Sequence, residues 1–256
     1  MHGPDAHRFL DNLLTQDLDP LAVGGCAYAA LLSPQGKVLS DLFVWRLEEQ
    51  GFLLDAPAAR AELLAARLRL FKLRAKVEIE AAPQWCAVSG DGELAASDPR
   101  LPALGVRALS RTPPPSAQEA ALSAQRLALG VPDLAQDAAP EEVFALEALL
   151  EELNGVSFKK GCFPGQENVS RMKRRATTRR KFCRVRLEGA AAAGAAITAG
   201  GVDLGSLRAA QGDVGLAFLR LDRALAAAAP LLAGAVPLRL DPPEWLILPA
   251  AQAGEE

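Results

Sequence analysis

Two apolar runs, CAYAALLS and KVLSDLFVWRL, stand on either side of Pro34-Gln35-Gly36 and constrain the fold more than any other stretch. The tripeptide reads as a turn, so the runs pair as an antiparallel hairpin. GFLLDAP follows the polar Glu48-Glu49-Gln50 turn as a third strand. Ahead of the hairpin, Ala6, Phe9, Leu10, Leu13 and Leu14 recur at helical spacing behind Pro4 and Asp5. After it, residues 58–71 carry a second helical pattern, and KVEIE, residues 76–80, alternates as a half-buried strand does. Helices mixed with antiparallel hairpins make this an α+β chain.

A related pattern follows from about residue 82. QWCAVSG and LGVRALS are strand-like, and Pro113-Pro114-Pro115 precedes a helix over 116–129. Residues 132–140 read as an ordered loop over the surface, and EEVFALEALLEEL, residues 141–153, as a helix. Beyond residue 180, FCRVRLEG, AAIT, VDLGSLRA and VGLAFLRLD are short, glycine-punctuated strands at barrel-like spacing. The reading is an α+β domain over 1–180 in two pseudo-repeated portions, a small β-barrel over 181–248 and a tail over 249–256.

Bulk properties narrow the function classes. The longest apolar stretch, 224–238, is broken by Pro230, Gly234 and Pro237, whereas a spanning helix needs roughly 20 uninterrupted apolar residues. With no basic, apolar leader at the start, a cytoplasmic protein without membrane contact is expected. Cys26, Cys86, Cys162 and Cys183 lie far apart, and His2 and His7 are the only histidines. A disulfide framework and a built-in metal site are therefore both disfavoured. Cys183 lies within a strand pattern and reads as core. The net charge of −3 is uneven: residues 159–181 hold nine Lys or Arg against Glu167 alone, leaving −11 elsewhere. A basic stripe on an acidic body suits a local anionic partner.

Inside that stripe lies KKGCFPGQE. Gly161, Pro164 and Gly165 form a tight loop that lets backbone approach a ligand or another strand. Gln166 and Glu167 open a short helix, with the acid in the first turn suiting the dipole. Cys162 thus sits just ahead of a helix N-terminus and among cations, two features that favour the thiolate. The competing reading is a small buried hydrophobe, the usual state of a free cysteine.

The stretch from Lys160 to Glu167 resembles the signature of the YgfZ-type proteins, folate-binding relatives of the glycine-cleavage aminomethyltransferase that assist iron–sulfur enzymes. GPDAHRFLDNLLTQDL, LLSPQGKVLSDLFVW, LRLFKLRAKVEI, RLALGVPD, NGVSFKK and VGLAFLRLDRA extend the likeness over nearly the whole chain. The resemblance implies two α+β portions and a C-terminal barrel around a central folate-sized hole. It also implies tetrahydrofolate as ligand, iron–sulfur enzymes or cluster-assembly proteins as partners, and a role in assembly or repair of [4Fe–4S] enzymes resting on Cys162. Asp41 takes the place of the aminomethyltransferase aspartate and would steer a folate nitrogen or a proton. Trp45, four residues on, shares its strand face and would either cover a pteridine or pack in the core. Lys160, Gly161, Gly165, Gln166, Glu167 and Arg171 complete the expected ligand set. Ala128 stands where the aminomethyltransferases carry a pteridine-reading glutamate, and set against the resemblance the family's first strand, ahead of Gly3-Pro4-Asp5-Ala6, is expected to be clipped.

Two further classes compete. A one-carbon (aminomethyl) transferase would act through Asp41, against which stand Ala128 and a cysteine with no task in that chemistry. An RNA- or tRNA-binding module would track phosphates with Arg171, Lys173, Arg174, Arg175, Arg179 and Arg180, but few aromatics accompany these cations for base stacking.

Overall fold

The computed structural model describes residues 1–176 and 178–249. Helix α1 (Ala6–Leu13) leads into strands β1 (Cys26–Leu32), β2 (Val38–Glu48) and β3 (Gly51–Asp55), followed by α2 (Ala58–Lys72). The three strands form one antiparallel sheet in the order β1-β2-β3, with Tyr28 opposite Phe43 and Ala30 opposite Asp41. Side chains alternate across it. Ala29, Leu31, Leu42 and Val44 pack with α1 and α2, while Tyr28, Ala30, Phe43 and Trp45 join the core shared with the rest of the chain. The sheet is therefore covered on both faces.

The second portion builds a sheet in the order β4-β6-β5 from β4 (Cys86–Ser89), β5 (Leu94–Ser97) and β6 (Val106–Ser110), with α3 (Ser116–Leu129) after it. β5 is absent from the sequence reading. A one-turn helix α4 (Leu134–Asp137) and α5 (Gln166–Arg175) precede the barrel. The barrel comprises β7 (Arg180–Leu187), β8 (Ala196–Ala199), β9 (Val202–Gln211), β10 (Val214–Arg220), β11 (Leu231–Ala233) and β12 (Val236–Leu240), with helix α6 (Leu221–Leu225) after β10. It closes in the order β10-β7-β12-β11-β8-β9, which leaves no free strand edge. The tail from residue 250 lies outside the described residues, among which no helix is long and apolar enough to cross a membrane.

Three expectations need correction. Residues 141–153 are a chain of turns rather than a helix. Glu141, Leu149 and Asn154 hold φ values of 61°, 63° and 53°, outside the helical region. The backbone there is spent on the hairpin instead: Val38 N–H donates to Val143 O at 2.9 Å, and Ala145 N–H to Gly36 O at 3.2 Å. The helical periodicity reflects burial all round, since Val143, Leu146, Leu149, Leu150 and Leu153 are all core.

Residues 76–80 keep the alternation of a strand, with Val77 buried, but only Glu78 pairs, as an isolated bridge to His2. His2 bridges Gly51 as well, so a single residue stands between β3 and this segment.

Residues 132–140 are not a surface loop. Three arginines from three parts of the chain hold the segment. Arg60 of α2 donates to Leu134 O and Ala138 O, Arg126 of α3 pairs with Asp137 at 2.8 Å, and Arg208 of β9 reaches Asp137 O and Glu142. Buried carbonyls need donors, and guanidinium groups supply several each.

Candidate functional site

The two portions of the chain enclose an open cavity of about 770 Å³. Asp41 and Phe43 of β2, Asp55 at the end of β3, Trp85 and Cys86, Arg100, Arg107 of β6, Arg126 of α3 and Asp133 line its walls. Asp41 is buried, and the hydroxyl of Tyr28, reaching diagonally across the hairpin, donates to its Oδ2 at 2.9 Å. No other side chain among the described residues donates to this carboxyl. Burial raises the carboxyl of Asp41 above the ordinary aspartate range, while the hydrogen bond from Tyr28 pulls the other way. Burial, with the Asp41 charge beside it, holds the Tyr28 hydroxyl well above a free tyrosine. Gly155 makes room for the Tyr28 ring, since a Cβ there would stand 2.9 Å from it.

Phe43 is flanked by two guanidinium groups, Arg107 at 3.8 Å and Arg100 at 4.9 Å from the ring centroid. Each is neutralised by its own acid. Arg107 meets Asp55 at 2.6 Å, and Arg100 grips Asp98 through Nε and Nη2 at 3.0 and 2.8 Å. Pairing plus stacking makes flat, rigid platforms with little net charge. The wall offers planar surfaces beside one carboxyl with a single side-chain donor, a set suited to a flat heterocycle with N–H donors.

The Lys160–Glu167 loop is built differently. Lys160 is buried, its side chain 1% exposed. Its ammonium donates to the carbonyls of Asp11, Leu14 and Gln16 and to Asp11 Oδ1. It thereby satisfies the carbonyl end of α1, where a cation complements the dipole. Phe163 is buried in the core. Gly165, at φ 80°, lies against the hairpin turn, where a Cβ would come within 2.6 Å of Ser33 O and 2.7 Å of Gly36 Cα. Asn168 donates to Gln35 O at 2.7 Å. Between the anchors at 160 and 163, Gly161 and Cys162 are exposed. No group of three or more metal-ligating side chains occurs among the described residues.

The N-terminal third and the barrel each match a known domain model. The GCVT N-terminal domain covers residues 1–90, and the CAF17 C-terminal beta-barrel domain covers residues 179–247. The Homo sapiens iron-sulfur cluster assembly factor IBA57, mitochondrial, is 31% identical over 262 residues, spanning 86% of this chain and 74% of that protein. The chain belongs to the IBA57 family. The Mus musculus member is likewise 31% identical, over 267 residues and the same shares of the two chains. The glycine cleavage system aminomethyltransferase T of Bartonella henselae superposes with a TM-score of 0.71 at 18% identity, over 96% of this chain and 82% of its own. At that identity the match carries the fold alone, an aminomethyltransferase-like α+β architecture with a six-stranded barrel. The expected cytoplasmic setting has no support from the IBA57 proteins of man and mouse, whose names place them in mitochondria.

Of the ligand and catalytic residues expected from the sequence of this IBA57-family chain, Asp41 alone lines the cavity. Trp45 is on the expected strand face but fully buried in the core and off the cavity wall, which fits the core reading and not the ligand cover. Lys160 is a lock on α1 and has no free ammonium for a ligand. Gly165 serves close packing on the hairpin turn. Gln166 donates to Gly161 O at 3.2 Å, Glu167 is exposed, and Arg171 is exposed and bonded to Asn168. Cys162 and its neighbours are absent from the cavity wall. The basic stripe is thinner than its charge count, because Lys160 and Lys181 are buried and Lys173 pairs with Glu151.

Sequence reasoning missed Tyr28, Phe43, Arg100 and Arg107. Tyr28 was within reach, since a tyrosine in an apolar strand needs a hydroxyl partner and Asp41 is the acid on the facing strand. The arginines depend on how the second sheet docks, and no local pattern reports that.

Proposed function

We propose that this protein is a folate-dependent accessory factor in the assembly or repair of [4Fe–4S] enzymes, with the Asp41 cavity as folate site and Cys162 as working thiol. The observation that carries the reading is the cavity, in which a buried carboxyl with a single side-chain donor stands beside arginine-stacked Phe43. Its volume of about 770 Å³ lies in the range that suits a small-molecule ligand. Asp41 would accept from ring N–H groups, while Phe43, Arg100, Arg107 and Trp85 would bound the flat ring system. Tetrahydrofolate, when bound, supplies a reduced heterocycle able to carry one-carbon groups. Asp41 holds or releases a proton at the wall, and Tyr28 fixes its orientation.

Family membership supports the iron–sulfur role, since the human and mouse relatives are named as iron–sulfur cluster assembly factors. The exposed position of Cys162 between two buried anchors favours contact with a macromolecule over contact with the cavity ligand. Aminomethyl transfer finds less support. Residue 128, an alanine, is exposed and off the cavity wall, and its carbonyl accepts from Arg184. RNA binding is also less favoured, because the stripe is partly consumed by protein contacts.

The test combines calorimetric titration of tetrahydrofolate with complementation of iron–sulfur enzyme activity by Asp41→Asn and Cys162→Ala. The reading expects about micromolar binding that is weakened at least tenfold in Asp41→Asn and kept in Cys162→Ala, with complementation lost in the latter. Absence of folate binding to the wild type removes the folate part. Full complementation by Cys162→Ala removes the thiol.

A further inference from the structure

The two most exposed large apolar side chains among the described residues, Leu73 and Leu70, lie outside the cavity and the Cys162 loop, at the far end of α2, with exposed Phe71 beside them. Leu70, Phe71 and Leu73 are 68%, 42% and 90% exposed. Leu73 ends the helix at φ 42°, a value unusual for a residue with a side chain. Scattered exposed leucines are ordinary; three within four residues form a patch.

Arg67, Arg69, Lys72, Arg74 and Lys76 are interleaved with them, and no acid occurs between Leu63 and Val77. Among the described residues none of these five cations forms an ion pair. The stripe around α5 differs, its Lys160, Lys173 and Lys181 being paired within the protein. On α2, Leu63, Arg67, Leu70 and Phe71 fall at i, i+4, i+7 and i+8, a stripe running beside the buried Leu64 and Leu68. The helix thus presents a second, unpartnered face in which cations and apolar groups share one line.

We propose that this end of α2, with the turn through Lys76, docks an acidic amphipathic helix of a partner protein. Charge complementarity selects that occupant: the patch is wholly basic within a chain of net charge −3. A helix with an apolar face can cover Leu70, Phe71 and Leu73 while its acids meet Arg67, Arg69 and Arg74. Nucleic acid would satisfy the cations but leave the leucines in water, with Phe71 the only aromatic for stacking. A lipid surface would immerse Arg67, which lies within the apolar stripe rather than at its rim.

The test is fluorescence anisotropy of the full chain with a labelled 18-residue peptide, Glu on one helical face and Leu on the other. A peptide of the same composition with scrambled order is the control. The helix-forming peptide is expected to bind about tenfold more tightly than the scrambled one at about 0.15 M salt. Leu70→Ser/Leu73→Ser and Arg69→Glu/Arg74→Glu should each remove most of that difference, with the unfolding midpoint unchanged because all four side chains are exposed. Equal binding of the two peptides, or equal binding by the variants, overturns the proposal. It is likewise overturned if the same variants instead abolish binding to anionic phospholipid vesicles, binding to oligouridine RNA, or concentration-dependent self-association.

Discussion

Tyr28 and Asp41 are joined diagonally across one hairpin by a buried hydrogen bond of 2.9 Å, and folding raises the pKa of both groups. A carboxyl raised by folding contributes stability that is full below its unfolded value and is lost as pH rises through its folded value. At neutral pH the raised Asp41 carboxyl is thus a cost that the wild type bears. Asn retains an oxygen for Tyr28 and carries no charge, so Asp41→Asn should gain on the order of 1 kcal/mol at pH 7. The gain should shrink as pH falls through the raised folded value towards the ordinary aspartate range. Urea unfolding across that window checks the sign, and a variant less stable at pH 7 would refute it. Stability gained at the expense of ligand binding is the pattern of a functional carboxyl.

Lys160 ties the Cys162 loop to the end of α1. Replacement by Met keeps most of the stem and removes the ammonium, leaving three carbonyls without that donor and the Asp11 carboxylate with the Leu18 N–H alone. The expected loss is about 3 kcal/mol, read from the denaturant midpoint. Alkylation of Cys162 should also become more sensitive to low urea as its anchor loosens. An unchanged midpoint would mean that solvent takes the place of the ammonium.

The two glycines flanking Cys162 should behave oppositely. Gly165 has a left-handed φ and no room for a Cβ against the hairpin turn, so Gly165→Ala should cost about 2–4 kcal/mol. Gly161 has nothing within 4 Å of a Cβ and no such φ, so Gly161→Ala should stay within about 0.5 kcal/mol. Thermal unfolding of the pair separates packing from loop flexibility, and similar losses in both would contradict the packing account.

Between the barrel and the preceding turns, Lys181 pairs with Glu152, with side chains 7% and 0% exposed. Lys181→Met alone strands a buried carboxylate and should cost about 3–5 kcal/mol. The double variant with Glu152→Gln should recover most of that loss, giving a coupling of about 2 kcal/mol in a double-mutant cycle. Additive losses would show the pair to be energetically idle.

The hairpin, α1 and α3 were legible because their signals are local: a Pro-Gly turn, an i, i+3, i+4 stripe, a proline breaker. The run 141–153 misled for a physical reason. Burial on every side gives a helical spacing without requiring a helix, and left-handed φ values at Glu141 and Leu149 carry no glycine to announce them. At the site, strand period put Asp41, Phe43 and Trp45 on one face, yet only the first two reach the cavity, since depth along a strand is set by what packs beyond it. Lys160 was counted as surface charge because a charge count has no depth.

The segment held by Arg60, Arg126 and Arg208 has a consequence for the order of events during synthesis. Its residues Asp133 and Gln136 form part of the cavity wall, and its third clamp comes from β9, some seventy residues later in the chain. A nascent chain that has just exposed the first two portions carries both sheets and two of the three arginines, but an unfinished wall. Domains fold in the order in which they emerge, so the pocket matures only after the ribosome has delivered the barrel. A stop codon within the barrel would therefore disable a pocket to which the missing residues contribute no side chain.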